Sequence, residues 1–156
     1  MFKSIRILVT HGIALGVGFA LGIYLLPILT APEAPSKTAV DAGTEQAIYR
    51  AEFRRDLPGS DFLHWGEGEI AITADKIGFI GSLAPGPDYQ LYLTRELVLN
   101  EGDFLEVKQQ SARIGAVKTF ENFILDIPPG IDLGEYGAVL VWCETFSEFI
   151  TAGAYR

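Results

Sequence analysis

From Ile7 to Leu29 the chain runs for 23 residues without an acid, a lysine or an arginine, and His11 is the only readily ionised side chain among them. At about 1.5 Å per residue this makes roughly 34 Å of helix, enough to cross a bilayer core of about 30 Å. Residues 1–30 are therefore expected to form a short cytoplasmic N-terminus and one transmembrane helix. Lys3 and Arg6 precede the span and the next basic residue is Lys37, so the positive-inside rule places the remainder outside. The expected location is the inner, cytoplasmic membrane, crossed once, with the C-terminal domain in the periplasm or outside the cell. A cleaved signal peptide is the competing reading. It calls for an apolar region of about 7 to 15 residues and a small-x-small cleavage site, whereas Ala31-Pro32-Glu33-Ala34-Pro35 sets a proline beside each alanine. An uncleaved signal anchor is the expectation.

Residues 31–44, with Pro32, Pro35, Ser36, Thr38 and Gly43, show no hydrophobic period and read as a linker to a domain over 45–156. All 20 acids lie beyond residue 30 against ten basic residues, a net charge of about −10. With no basic cluster larger than Arg54-Arg55, nucleic acid is excluded as a partner and anionic lipid is disfavoured.

Beyond the linker, short apolar or alternating runs recur between breakers. Tyr49 to Phe53 alternates, and Glu67–Thr73 and Ile77–Ser82 read as a hairpin turning at Asp75-Lys76. Tyr89, Leu91 and Leu93 share one face of the next strand, which follows Ala84-Pro85-Gly86-Pro87-Asp88. Arg95 to Lys108 allows a turn or so of helix, and 113–117, 119–125 and 146–152 read as further strands. Seven or eight short strands with no crossover helix predict an all-β domain, an antiparallel β-sandwich or flattened barrel preceded by one transmembrane helix. Glycines inside the strands, Gly68, Gly78, Gly81 and Gly115, suggest bulges and close backbone approach.

The strongest strand, Ala138 to Trp142, is apolar throughout and leads into Cys143, the only cysteine. It suits a central strand covered on both faces, with Val139, Val141 and Cys143 on one side and Ala138, Leu140 and Trp142 on the other. One cysteine allows no intramolecular disulfide, no Cys-x-x-Cys pair and no covalent haem motif. His64 is the only histidine beyond the span, which is too few for a blue-copper ligand set, so no metal site is expected.

Two readings of Cys143 stay open: a small buried hydrophobe, or a redox thiol kept from the oxidising compartment. A nearby Glu144 would raise its pKa. His64 is either a loop histidine bonded to its own turn or a partner to Cys143. Gly66-Glu67-Gly68 lacks the rest of any nucleotide fingerprint, there is no serine elbow, and a non-enzymatic role is expected.

His64-Trp65-Gly66-Glu67-Gly68, then Gly86-Pro87-Asp88-Tyr89 with Leu91-Tyr92-Leu93, then Val141-Trp142-Cys143-Glu144-Thr145-Phe146 resemble the successive signatures of the DM13 domain, over about Tyr49 to Tyr155. The resemblance implies a membrane-anchored extracytoplasmic β domain of the bacterial type, serving as an accessory in electron transfer or thiol redox centred on Cys143, for which the residues themselves offer His64 as the candidate partner. It also implies a redox partner protein that brings any cofactor, whose identity is unknown. The alternative is a non-catalytic binding or structural module with Cys143 as core packing.

Overall fold

The computed structural model describes residues 2–156, so Met1, at the expected cytoplasmic end, lies outside the described residues. Helix α1 (Phe2–Thr30) buries none of its side chains and is apolar on every side, as a lipid-facing helix must be. Among the described residues it is the one helix long and apolar enough to cross a membrane.

Residues 31–44 are not a free linker throughout. Ser36 caps a short helix, α2 (Lys37–Gly43), its Oγ accepting from the Ala39 amide at 3.2 Å. Val40 of α2 is buried over Gly78, where any larger side chain would meet it. The Asn122 side-chain amide donates to the Pro35 carbonyl at 3.1 Å, pinning the chain just before the helix. One large apolar residue in seven offers no period to read, yet burying it helps to dock the segment.

Eight strands follow: β1 (Tyr49–Phe53), β2 (Gly66–Ile72), β3 (Lys76–Leu83), β4 (Tyr89–Thr94), β5 (Ala112–Val117), β6 (Phe123–Asp126), β7 (Ala138–Cys143) and β8 (Glu148–Ala154). Helix α3 (Glu101–Val107) stands between β4 and β5 in the stretch expected to hold a helical turn. Its N-cap is Asn100, whose side chain accepts from the Asp103 amide. The strands form two four-stranded antiparallel sheets, ordered β1-β2-β3-β6 and β5-β4-β7-β8. They pack as an open sandwich, β1 beside β8 and β5 beside β6.

The alternation read from the sequence is the alternation that packs. Tyr89, Leu91, Leu93, Val139, Val141 and Cys143 point between the sheets, against Phe53, Ile70, Ile72, Ile77, Phe79 and Phe123 of the facing sheet. Tyr92, Leu140 and Trp142 point the other way, into a second cluster with Phe104 of α3 and Phe149. Every residue of β7 is buried. The same holds for β4, and at roughly 1.5–3 kcal/mol per large apolar side chain these two neighbouring strands anchor the domain on both faces of their sheet.

The bulges lie elsewhere than at most of the expected glycines. The β4–β5 register passes from Leu91↔Gly115 to Tyr92↔Arg113, leaving Ile114 as the extra residue. The β7–β8 register passes from Val141↔Thr151 to Trp142↔Phe149, leaving Ile150 extra. Each bulge turns an isoleucine into the core between the sheets. Gly68 serves close approach instead: at φ +146° it lies directly across from Gly81, and a Cβ there would press on the Gly81 backbone.

Candidate functional site

Cys143 ends β7 directly opposite Tyr89, the first residue of β4. Both side chains lie on the face that packs between the sheets. Just upstream of Tyr89, the turn Pro85-Gly86-Pro87 folds so closely under the tyrosine that a Cβ on Gly86 would fall 2.8 Å from its ring carbon Cζ. The Cys143 Sγ donates to the Pro87 carbonyl at 3.1 Å. One short turn therefore positions both the ring and the thiol.

Asp88 locks that turn to the β7–β8 hairpin. With φ at 52°, its carbonyl accepts from the Glu144 amide at 3.1 Å. Its carboxylate accepts from the Gln90 side chain at 3.0 Å and from the Thr145 hydroxyl at 3.5 Å. The Arg113 Nε in turn donates to the Gln90 Oε1 at 3.1 Å. Left-handed backbone at a non-glycine residue is strained, and aspartate tolerates it better than most.

The thiol is only 3% exposed. Burial pushes its pKa above the ordinary thiol value, the Thr145 and Phe146 amides oppose this without reversing it, and the charges of Asp88 and Glu148 add to the rise. Burial likewise pushes the Tyr89 phenol well up, with Cys143 as a further cause. Both groups are held neutral. Such a thiol is a poor thiolate nucleophile.

His64 sits in the loop that leads into β2. Asp61 Oδ1 accepts from the Leu63 and His64 amides, both at 2.7 Å, and Asp61 Oδ2 lies 3.1 Å from the His64 Nδ1. Burial raises the Asp61 pKa, but these contacts outweigh it and the carboxyl stays below its usual value. Cys143 and His64, the pair that the sequence offered as one of two readings, open onto one cleft of about 460 Å³. Its domain wall also includes Leu63, Tyr89 and Phe146, and Ala20, Leu21, Ile23 and Tyr24 of α1 form the opposite wall. Among the described residues no hydrogen bond joins Cys143 to His64.

Glu144, expected to act on the cysteine, faces away from it, because neighbouring residues of a strand point to opposite sides. It accepts from the Tyr92 hydroxyl and from the Lys108 ammonium at 2.5 Å. Burial raises its pKa, but these two donors prevail and hold it below the carboxylate norm. The Lys108 Nζ also stands 5.3 Å from the Trp142 ring centroid, and among the described residues the buried Trp142 Nε1 has no hydrogen-bond partner. This network escaped the sequence reading because Lys108 and Glu144 are far apart in the chain. Among the described residues no group of three or more His, Cys, Asp or Glu is placed to hold a metal ion.

A family model described as "Electron transfer DM13" matches residues 56–155, from the Asp56 turn to Tyr155. Searches of curated proteins and of solved structures found no match.

Proposed function

The chain belongs to the electron transfer DM13 family, and from that premise we propose that it is a membrane-anchored accessory in electron transfer, working through the cleft that holds Cys143 and His64. The carrying observation is the meeting of these two residues on one cleft. The domain acts outside the cytoplasm, on the side opposite Lys3 and Arg6, and α1 holds it to the membrane. A partner protein supplies the acceptor.

The environment of the thiol favours one kind of exchange. A neutral S–H in an apolar wall that loses an electron must also lose its proton, since a buried positive charge is costly. The Pro87 carbonyl already accepts that hydrogen. Cys143 therefore gives up one electron and one proton together to a one-electron acceptor brought by the partner, which takes both and leaves a neutral thiyl radical on the sulfur, and attack as a thiolate is disfavoured. His64, held by Asp61 on the same cleft, positions the incoming partner.

A second reading rests on the same atom. A thiol 3% exposed and bonded to a backbone carbonyl also fits a packing residue in a non-catalytic binding module. One-electron oxidation of the full chain in nanodiscs, comparing native protein with Cys143→Ser, separates the two. Loss of the reacting group with the sulfur supports the redox role, and equal oxidation of both proteins supports packing.

A further inference from the structure

The domain over 45–156 carries nine more acids than basic residues, yet one rim of it is apolar and exposed. Phe62 is 85% exposed, Leu63 42% and Phe146 48%. Leu63 and Phe146 flank the cleft with Pro85 and Pro87 between them. Asp61 and Asp88 beside it are engaged, by the His64 loop and by Gln90, while Glu148 stands opposite Cys143 on β8. At the far end of the β2–β3 hairpin, about 20 Å away by strand length, the single exposed Ile48 has no such companions among its cleft neighbours.

Two observations say what covers this rim. The first is the tether. Asn122 grips the Pro35 carbonyl, only five residues beyond the end of α1 at Thr30, so the domain hangs on at most about 17 Å of extended chain. The second is orientation. Pro87 and Phe146 lie beside Ile23, Leu26 and Pro27 of α1, so the rim faces the anchor. The apolar run Ile7–Leu29 makes roughly 34 Å of helix, a few ångströms more than a hydrocarbon core of about 30 Å, so the turn that holds Leu26 and Pro27 reaches the outer edge of the core, next to the headgroups. Loops beside that turn meet lipid.

We propose that the Phe62-Leu63 and Phe146 loops rest in the outer headgroup layer of an uncharged or zwitterionic lipid surface, so that the Cys143 cleft opens at the membrane. Aromatic side chains at that level are favourable, and the acidic remainder of the domain is kept in water by its own charge. This inference does not rest on the redox role of Cys143.

The test uses the full chain in phosphatidylcholine nanodiscs with an environment-sensitive fluorophore at Phe62→Cys, Phe146→Cys or, as the control, Ile48→Cys, each in a Cys143→Ser background. Near-ultraviolet circular dichroism confirms that each variant is folded. Lipids spin-labelled near the headgroup should quench the probe at positions 62 and 146 at least severalfold more than at 48, and aqueous iodide should do the reverse. Equal iodide access at all three positions would overturn the proposal. So would protection at 62 and 146 without quenching by lipid, because that places protein over the rim.

Discussion

Tyr89 and Cys143 stand directly across from one another on β4 and β7, and burial raises the pKa of both, that of Tyr89 strongly. The pair closes the inner wall of the cleft from two neighbouring central strands, and its geometry decides how the thiol can react. Disulfide exchange needs thiolate, which burial suppresses. In folded protein Cys143 should react with a disulfide reagent at least about tenfold more slowly than in urea, and its alkylation rate should still be climbing at pH values above about 9. A native rate equal to the unfolded rate would show that the wall is open.

The same shifts make the fold sensitive to alkali. Cys143, Tyr89 and Tyr92 have raised pKa values, and burial pushes Tyr155 up to about 12. Above the unfolded values of about 8.5 for cysteine and 10 for tyrosine, the native state binds more protons than the unfolded state, so stability falls as pH rises. The contribution is intact below about pH 8. Melting temperature should therefore drop between about pH 9 and 11, and less steeply in Cys143→Ser if the thiol carries a share.

Glu144 has the opposite sign. Its folded pKa is lowered, so its contribution is present above the unfolded value of about 4.3 and is lost as pH falls through the folded value. Glu144→Gln removes the ion pair with Lys108 and weakens the bond from Tyr92. It should cost about 1–2 kcal/mol at neutral pH, measured by urea unfolding, and much less at acid pH. A cycle with Lys108→Met isolates the coupling.

Asp88 holds the turn that covers the thiol. Asp88→Ala removes two side-chain bonds and leaves alanine at φ 52°, at a cost of about 1–3 kcal/mol. Alkylation of Cys143 should quicken beyond what the lost global stability explains. Asp88→Asn should restore most of the protection, since asparagine tolerates that backbone. If labelling in Asp88→Ala stays at the native rate, the turn does not shield the sulfur.

Gly68→Ala tests the core of the first sheet. With φ at +146° and Gly81 opposite, it should cost several kcal/mol, seen as a lower denaturation midpoint. The exposed Gly130→Ala, at φ +90° with no neighbour within 4 Å of the added Cβ, should cost less.

Much of this architecture was legible because the determining signals are local. The two-faced burial of Ala138–Cys143 shows as an unbroken apolar run, and the inward set of Tyr89, Leu91 and Leu93 shows as alternation. The fold of 37–43 was not legible, since one buried valine carries no periodicity. Nor were the bulges at Ile114 and Ile150, because either register keeps an apolar residue in a plausible place until the partner strand is known. At the site, Cys143 and His64 stood out by scarcity. Their shared cleft and the Tyr92–Glu144–Lys108 network depend on long-range pairing that no spacing encodes.

The most direct test of the proposed role is stopped-flow oxidation of the full chain in nanodiscs by hexachloroiridate, a one-electron oxidant, with mass spectrometry of the peptide that carries Cys143. If Cys143 gives up an electron with its proton, native protein should be oxidised at least about tenfold faster than Cys143→Ser, a barrier difference of about 1.4 kcal/mol, and the modification should lie on that sulfur. Equal rates for the two proteins, with Cys143 recovered unmodified, would contradict the electron-transfer role of this residue and leave it as packing.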